Sequence, residues 1–253
     1  MVETEVQGRV LVITLNRPEA RNAVNGDVAR GLEAAIDRLE EDDELWCGIL
    51  THTGPVFCAG ADLKAIAAGQ AADLQTARGG FGGITRRERT KPIIAAIDGP
   101  ALAGGCEISL SCDLIVASRT SSFGLPEVKR ALVAAAGGLF RLPRALPAAV
   151  AMEIVLTGDP ISAERAYHFG MINEVVEPGE SLAAAKALAE RIAVNAPLAV
   201  RESRKVVLAV NTATDDELWK MSGQGMMNMA MTEDFGEGPR AFIEKRAPIW
   251  KGR

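Results

Sequence analysis

A chain of 253 residues, 48% of them hydrophobic and 24% charged, is long enough to bury a sizeable core as one large domain or two small ones. With 28 Lys and Arg against 33 Asp and Glu its formal charge is −5, which leaves no electrostatic footprint for nucleic acid or an anionic membrane surface, although local basic clusters remain able to grip a phosphate. Only two histidines are present, so a His-rich metal site is excluded; no apolar run is long enough to span a bilayer, and the first residues lack the basic then apolar layout of a signal peptide, so a cytoplasmic location is expected.

In chain order, residues 9–15 are rich in β-branched side chains and stop at Asn16-Arg17-Pro18, which predicts a strand ended by a turn. From Asp27 the apolar positions Val28, Leu32, Ala35, Ile36 and Leu39 recur at helical spacing and run into the acidic cluster 40–44, predicting an amphipathic helix with a solvated end. Further strands are expected at 48–51, at 92–97, closing at Asp98-Gly99-Pro100, and at 113–117. Strands separated by helical stretches need crossover connections, so the fold class is layered α/β. After Pro147 the pattern turns helical, with helices expected at 148–156, 163–169, 182–194, 197–210 and 215–231. The four cysteines form no CxxC pair and read as reduced, buried small hydrophobes. His52 reads as a satisfied strand-end residue and His168 as a helix-surface one.

Residues 69–90 hold the glycine cluster Gly79-Gly80-Phe81-Gly82-Gly83, which is not a GxGxxG fingerprint and follows no expected strand. The segment reads as mobile, either a flexible wall over a site or a surface loop.

Two frames carry chemistry. In Phe57-Cys58-Ala59-Gly60-Ala61-Asp62 and in Ala101-Leu102-Ala103-Gly104-Gly105-Cys106-Glu107, small residues precede a probable helix. The first turn of a helix leaves N–H groups unpaired, and two of them aimed at one point can stabilise an oxygen as it becomes enolate-like. The plain alternative is that Gly and Ala merely permit tight packing. Glu107 and Glu127, each with apolar neighbours, can have their proton affinities pushed apart, so that one gives a proton while the other takes one. For Glu127 the alternative is a first-turn residue favoured by the helix dipole, and for Glu107 a paired buried charge.

Five segments together resemble the crotonase, or enoyl-CoA hydratase/isomerase, superfamily: 16–23, 57–63, 98–113, Phe123-Gly124-Leu125-Pro126-Glu127, and 158–175. The resemblance implies a spiral of ββα repeats over residues 1–195, followed by a helical C-terminal region, 196–253, that mediates trimerisation, commonly as a hexamer of two trimers. It implies an acyl-CoA thioester substrate, with CoA as part of the substrate and no separate cofactor or metal. Carried over by position, the oxyanion-hole donors are the amides of Ala61 and Gly104. The spacing 127 − 107 = 20 matches the glutamate pair of the hydratase branch, with Glu107 activating water and Glu127 protonating the α-carbon. The CoA moiety is expected against Arg21, Ala23, Ala59, Asp62, Leu63 and Lys64, with Phe242 and Lys245 of a neighbouring subunit completing the nucleotide site.

Segments 78–85, 125–129 and 238–253 are similar to the carnitinyl-CoA dehydratase subfamily. Against that, Ala131 and Ala134-Ala135-Ala136 stand where relatives carry Gly, Pro and often an acidic residue, and few aromatics are available to cage a quaternary ammonium. An uncharged short or medium enoyl chain therefore ranks ahead of the carnitine derivative. The further alternatives are another crotonase enzyme, such as an enoyl-CoA isomerase or a decarboxylase, and a catalytically silent CoA-binding or scaffolding homologue. Phe81, Phe140, Trp219 and Phe235 are candidates to line the acyl end, with a core role as the alternative for each.

Overall fold

The structure, a computed structural model, describes residues 1–253. Strand β1 (Val2–Gln7) pairs antiparallel with β2 (Val10–Leu15), which leads into α1 (Gly26–Glu41). β3 (Cys47–His52) leads to α2 (Leu63–Ala67), and a short hairpin of β4 (Gln75–Thr76) and β5 (Gly80–Phe81) follows. β6 (Ile93–Ile97) and β7 (Pro100–Leu102) lead to α3 (Gly104–Ser109); β8 (Leu114–Ser118) and β9 (Ser122–Gly124) lead to α4 (Gly138–Ala145) and α5 (Ala148–Thr157). β10 (Ile161–Ser162), α6 (Ala163–His168), β11 (Glu174–Val176) and α7 (Ser181–Ala193) close the sheet, and α8 (Pro197–Ala209), α9 (Asp215–Ala230) and α10 (Glu233–Glu244) complete the chain.

The main sheet runs β1-β2-β3-β6-β8-β11, parallel at every pairing after the first. A second wall holds β7 parallel to β9, and the isolated parallel bridges Cys58 to Ala101 and Val24 to Ala61 carry the same pairing along. Each repeat thus places a strand in the main sheet, a strand or bridge in the second wall, and then a helix. That is the ββα spiral in topological terms, and parallel pairing is possible because each crossover carries a helix.

Burial drives the arrangement. Val28, Leu32, Ala35, Ile36 and Leu39 of α1 are all buried against one face of the sheet, and the Asn25 side chain caps the helix through the Val28 N–H at 3.0 Å. The other face, Val10, Val12, Cys47, Ile49, Ile94, Ala96 and Val116, is covered by Ala185 and Ala189 of α7. At the corner after β6, Gly99 has φ 111°, and a β-carbon there would lie 2.2 Å from the Pro55 carbonyl oxygen, so only glycine fits. His52 sits at the same corner, its Nε2 accepting the Asp98 N–H at 2.9 Å, which is the satisfied strand-end role. His168 is exposed on α6. All four cysteines are free; Cys112 is half-buried and the other three are buried, and burial pushes the Cys47 and Cys58 thiols up to about 12.

The mobile reading of residues 69–90 is corrected. Leu74, Gly79, Gly80 and residues 82–85 are buried, and a β-carbon on Gly83 would stand 2.2 Å from the Ala29 carbonyl of α1. Glu33 accepts the Gly79 N–H at 3.0 Å, while Asp37 takes Arg78 at 2.6 Å and Arg87 at 2.5 Å, so α1 fastens the segment. The glycines are there for close packing. No helix is long and apolar enough to cross a membrane.

Candidate active site

A cavity of about 1770 Å³ opens where the first turns of α2 and α3 meet the loop between β9 and α4. Both segments of small residues converge on it. Gly60, at φ 95°, packs against Ala103, and a β-carbon on Gly105 would lie 2.1 Å from the Cys58 carbonyl, so α3 can approach the 58–60 segment only because these positions are bare. Ala103 holds φ 53° and ψ −129°, a conformation rare outside glycine, and its N–H donates to Gly124 at 2.9 Å. This twist turns the chain from β7 into α3 and makes Gly104 the first helical residue. The amides of Ala61 and Gly104 donate to no group within the protein, although the flanking Asp62 N–H bonds the Val24 carbonyl at 2.9 Å. Both line the cavity.

Glu107, 3% exposed, projects from α3 into the same cavity. Its Oε1 accepts the Ala136 N–H at 2.7 Å and the Gly138 N–H at 2.9 Å. Burial raises its pKa, while the two amides and the Arg141 guanidinium pull it back. Glu127 enters from the turn after Pro126, and burial, then the charge of Glu107, raise its pKa. Its Oε2 is buried without a hydrogen-bond partner. The two carboxyls therefore differ in surroundings: two amides and Arg141 favour the carboxylate of Glu107, whereas Glu127 keeps one oxygen buried without a partner, and only its own backbone N–H and the Arg130 charge favour its ionised form.

Arg21, Ala23, Ala59, Leu63 and Lys64 border the cavity mouth. Asp62 also lines it, but its oxygens are committed: Oδ2 to Arg17 at 2.7 Å, and Oδ1 to the Lys64 N–H at 2.9 Å and the Ala65 N–H at 3.4 Å as the cap of α2. Phe242, 84% exposed, and Lys245, just past α10, lie outside this chain's cavity. Phe81 and Phe140 line the cavity, whereas Trp219 and Phe235 are exposed on the C-terminal helices and do neither of the jobs expected of them. Sequence reasoning missed Arg141 and the amides of Ala136 and Gly138. Backbone donors carry no residue-type signal, and the helix bearing Arg141 was itself not expected.

A sequence profile described as enoyl-CoA hydratase/isomerase matches residues 5–253. The chain is 40% identical to a carnitinyl-CoA dehydratase of Salmonella typhi, over 97% of this chain and 96% of that one. Among solved structures, an enoyl-CoA hydratase from Mycobacterium tuberculosis superposes with a TM-score of 0.96 at 48% identity, covering 100% of this chain and 99% of that one. A carnitinyl-CoA hydratase from Mycobacterium avium gives 0.78 at 45%, covering 100% and 98%. With the spiral, the paired glutamates and the two free amides, these likenesses fix the family: the chain belongs to the enoyl-CoA hydratase/isomerase family, the crotonases, as a lyase-type enzyme.

Proposed function

We propose that this protein adds water reversibly across the 2,3 double bond of a 2-enoyl-CoA thioester carrying an uncharged short or medium acyl chain. The observation that carries the reading is a pair of carboxyls in unlike surroundings, Glu107 gripped by two amides and Glu127 with one oxygen buried and unpartnered, facing one cavity with two free N–H groups. The thioester oxygen sits between the Ala61 and Gly104 amides, where negative charge developing during addition is stabilised, by about 3 kcal/mol per donor. Glu107 takes a proton from water as it attacks the β-carbon. Glu127 gives its proton to the α-carbon, and the reverse sequence dehydrates.

Arg21, Lys64 and Arg130 at the mouth pair with no carboxylate and suit the phosphates of CoA, despite the net charge of −5. The acyl end supports the uncharged chain. Apart from Glu107 and Glu127, the carboxylates that line the cavity are Glu19 and Asp62, both beside Arg17, and the Phe140 ring is flanked by Arg141 and Arg144, each 5.3 Å from its centroid, a poor surface for a further cation. The carnitinyl-CoA dehydratase reading stays as the alternative because of the 40% identity to proteins so named.

The C-terminal region, 196–253, we assign to trimer formation, with trimers paired into hexamers as the further step. Supporting this, Val207, Leu208, Trp219, Met226, Met227 and Ile243 are all more than half exposed on α8, α9 and α10 of one chain. In such a trimer Phe242 and Lys245 reach a neighbour's nucleotide site. A cytoplasmic location completes the reading.

The test is loss of absorbance by conjugated enoyl-CoA thioesters, crotonyl-CoA and longer chains beside crotonobetainyl-CoA, with wild type and with Glu107→Gln and Glu127→Gln. Turnover of the uncharged esters that falls at least about 100-fold in each variant is expected. No turnover by wild type on any ester refutes the hydratase reading, and preference for crotonobetainyl-CoA installs the alternative.

A further inference from the structure

The carboxylate that activates water must present one oxygen while the other is held, and the part of the chain that holds it is the alanine-rich stretch before α4. The amides of Ala136 and Gly138 both end on Oε1 of Glu107, while Oε2 takes no protein hydrogen bond and is not sealed off. Ala134 anchors the start of this stretch in the core, but Ala135 is exposed and Ala136 only half-buried, so the backbone that carries the Ala136 amide has little packing of its own. One side chain holds that part. Arg141 folds back from α4 and donates from Nη1 to the Ala136 carbonyl at 3.2 Å and from Nη2 to the Thr85 carbonyl at 2.6 Å. The Ala136 residue is thus held on both sides, its N–H on Glu107 and its C=O on Arg141.

Gly137 shows that the fit is close. It lies at φ 108°, and a β-carbon there would stand 2.1 Å from Nη1 of Arg141, so a side chain at 137 would evict the guanidinium. Likewise a β-carbon on Gly138 would meet Cγ of Glu107 at 3.0 Å. The Thr85 carbonyl ties the same guanidinium to the segment that α1 fastens, so the clamp is braced against the body of the spiral.

We propose that Arg141 is the positioning residue for Glu107: its fork fastens the 136–138 backbone so that two amides grip one carboxylate oxygen and the other is left for water. This rests on the hydratase reading above. The charges around Glu107 are Arg141 from α4 and Glu127 from the turn after β9; its chain neighbour Cys106 is kept neutral by burial. Arg141 in turn faces Arg89, Arg144 and Cys112. Removing the Arg141 charge therefore makes the Glu107 carboxylate harder to form, and the acid limb of the hydration rate moves to higher pH.

The experiment compares Arg141→Met, Arg141→Lys and Gly137→Ala with wild type by two readouts. The first is kcat and KM for crotonyl-CoA against pH. The second is the carboxyl carbon-13 NMR titration of Glu107 in the ligand-free protein, its signal assigned by its loss in Glu107→Gln. For Arg141→Met a fall in kcat of about 10- to 100-fold is expected, with KM within about twofold. Its acid limb and its Glu107 titration both move up. Arg141→Lys, which keeps the charge without the fork, recovers part of the pH shift but less of the rate, and Gly137→Ala lowers kcat with the arginine still present.

A folded Arg141→Met protein with wild-type kcat and wild-type titration overturns the proposal, as does a rate loss with no movement of the titration. If Arg141→Met does not fold, Arg141→Lys and Gly137→Ala decide by the same readouts. Should wild type hydrate no ester, the hydratase reading fails by itself, and the titration still decides whether Arg141 governs Glu107.

Discussion

Gly60 and Gly104 pack backbone to backbone: a β-carbon on Gly60 would stand 3.1 Å from the Gly104 nitrogen and 2.8 Å from the Ala103 β-carbon. The two free amides of the cavity are near each other because nothing but hydrogen occupies that space. Gly60 also holds φ 95°, which costs an alanine about 1–2 kcal/mol. Gly60→Ala therefore parts the donors, and kcat for crotonyl-CoA hydration is expected to fall about 100-fold, the loss of one donor. Steady-state kinetics beside a thermal melt separates the two effects: a rate loss carried wholly by unfolding contradicts the assignment.

At Gly104 the neighbour is different. A β-carbon there meets the Phe81 ring, at 2.3 Å and 2.5 Å from its nearest atoms, while the amide is retained. Gly104→Ala is expected to push the ring into the acyl end and lower kcat/KM, most for longer chains. Adding Phe81→Ala restores part of the loss, because the clash is with the far end of one side chain. Equal losses in the single and double variants, measured with crotonyl-CoA and a longer ester, would place the defect elsewhere.

How far the sequence foretold this structure depends on where each signal lies. The central strands β2, β3, β6 and β8 were legible because both faces of the sheet are buried there and they are rich in Ile, Val, Leu and Ala, while β7, β9 and β11, three residues each, were too short to show; α1 was legible because only one face is buried. β1 escaped because it is a short, largely exposed edge whose Val2, Thr4 and Val6 alternation is weak, and α4 and α10 escaped because Pro143 and Pro239 lie inside them. In the site, the frames drew attention to Glu107, Glu127 and the two runs of small residues, and the family resemblance singled out the amides of Ala61 and Gly104 within them. The clamp on Glu107 was not legible, since amide hydrogen bonds depend on backbone direction rather than residue type: of the alanines that counted against a carnitine-derived substrate, Ala136 holds Glu107 with its backbone N–H.

The Glu127 carboxyl has a measurable effect on stability. Burial and the Glu107 charge raise the Glu127 carboxyl above its unfolded value, about 4.3. A group with a raised folded-state pKa contributes stability that is fully present below the unfolded pKa and is lost as pH rises through the folded pKa. Glu127→Gln, neutral at every pH, escapes that loss. Its melting temperature is expected to match wild type near pH 4 and to exceed it increasingly toward pH 8, while activity is lost. Melts across that range that stay parallel would show that Glu127 ionises freely in the folded protein.

A half-buried carboxylate ties α8 to the spiral. Asp113 pairs with Arg89 through Oδ2 and with Arg204 of α8 through Oδ1 at 2.8 Å, and Arg204 also donates to the Arg89 carbonyl at 2.6 Å. With the Arg204 and Asp113 side chains 13% and 14% exposed, solvent cannot replace the lost partner cheaply. Arg204→Met leaves Asp113 half paired and the Arg89 carbonyl without its donor, a cost of about 3 kcal/mol. For a chain of this size that is a fall in melting temperature of about 6–12 °C. Because the apolar faces of α8, α9 and α10 are presented from this anchor, the same variant is expected to shift the assembly toward smaller species on size-exclusion chromatography with light scattering. A lowered melt with unchanged mass would mean that Arg204 secures the fold alone, and that the subunit contact lies elsewhere on the chain.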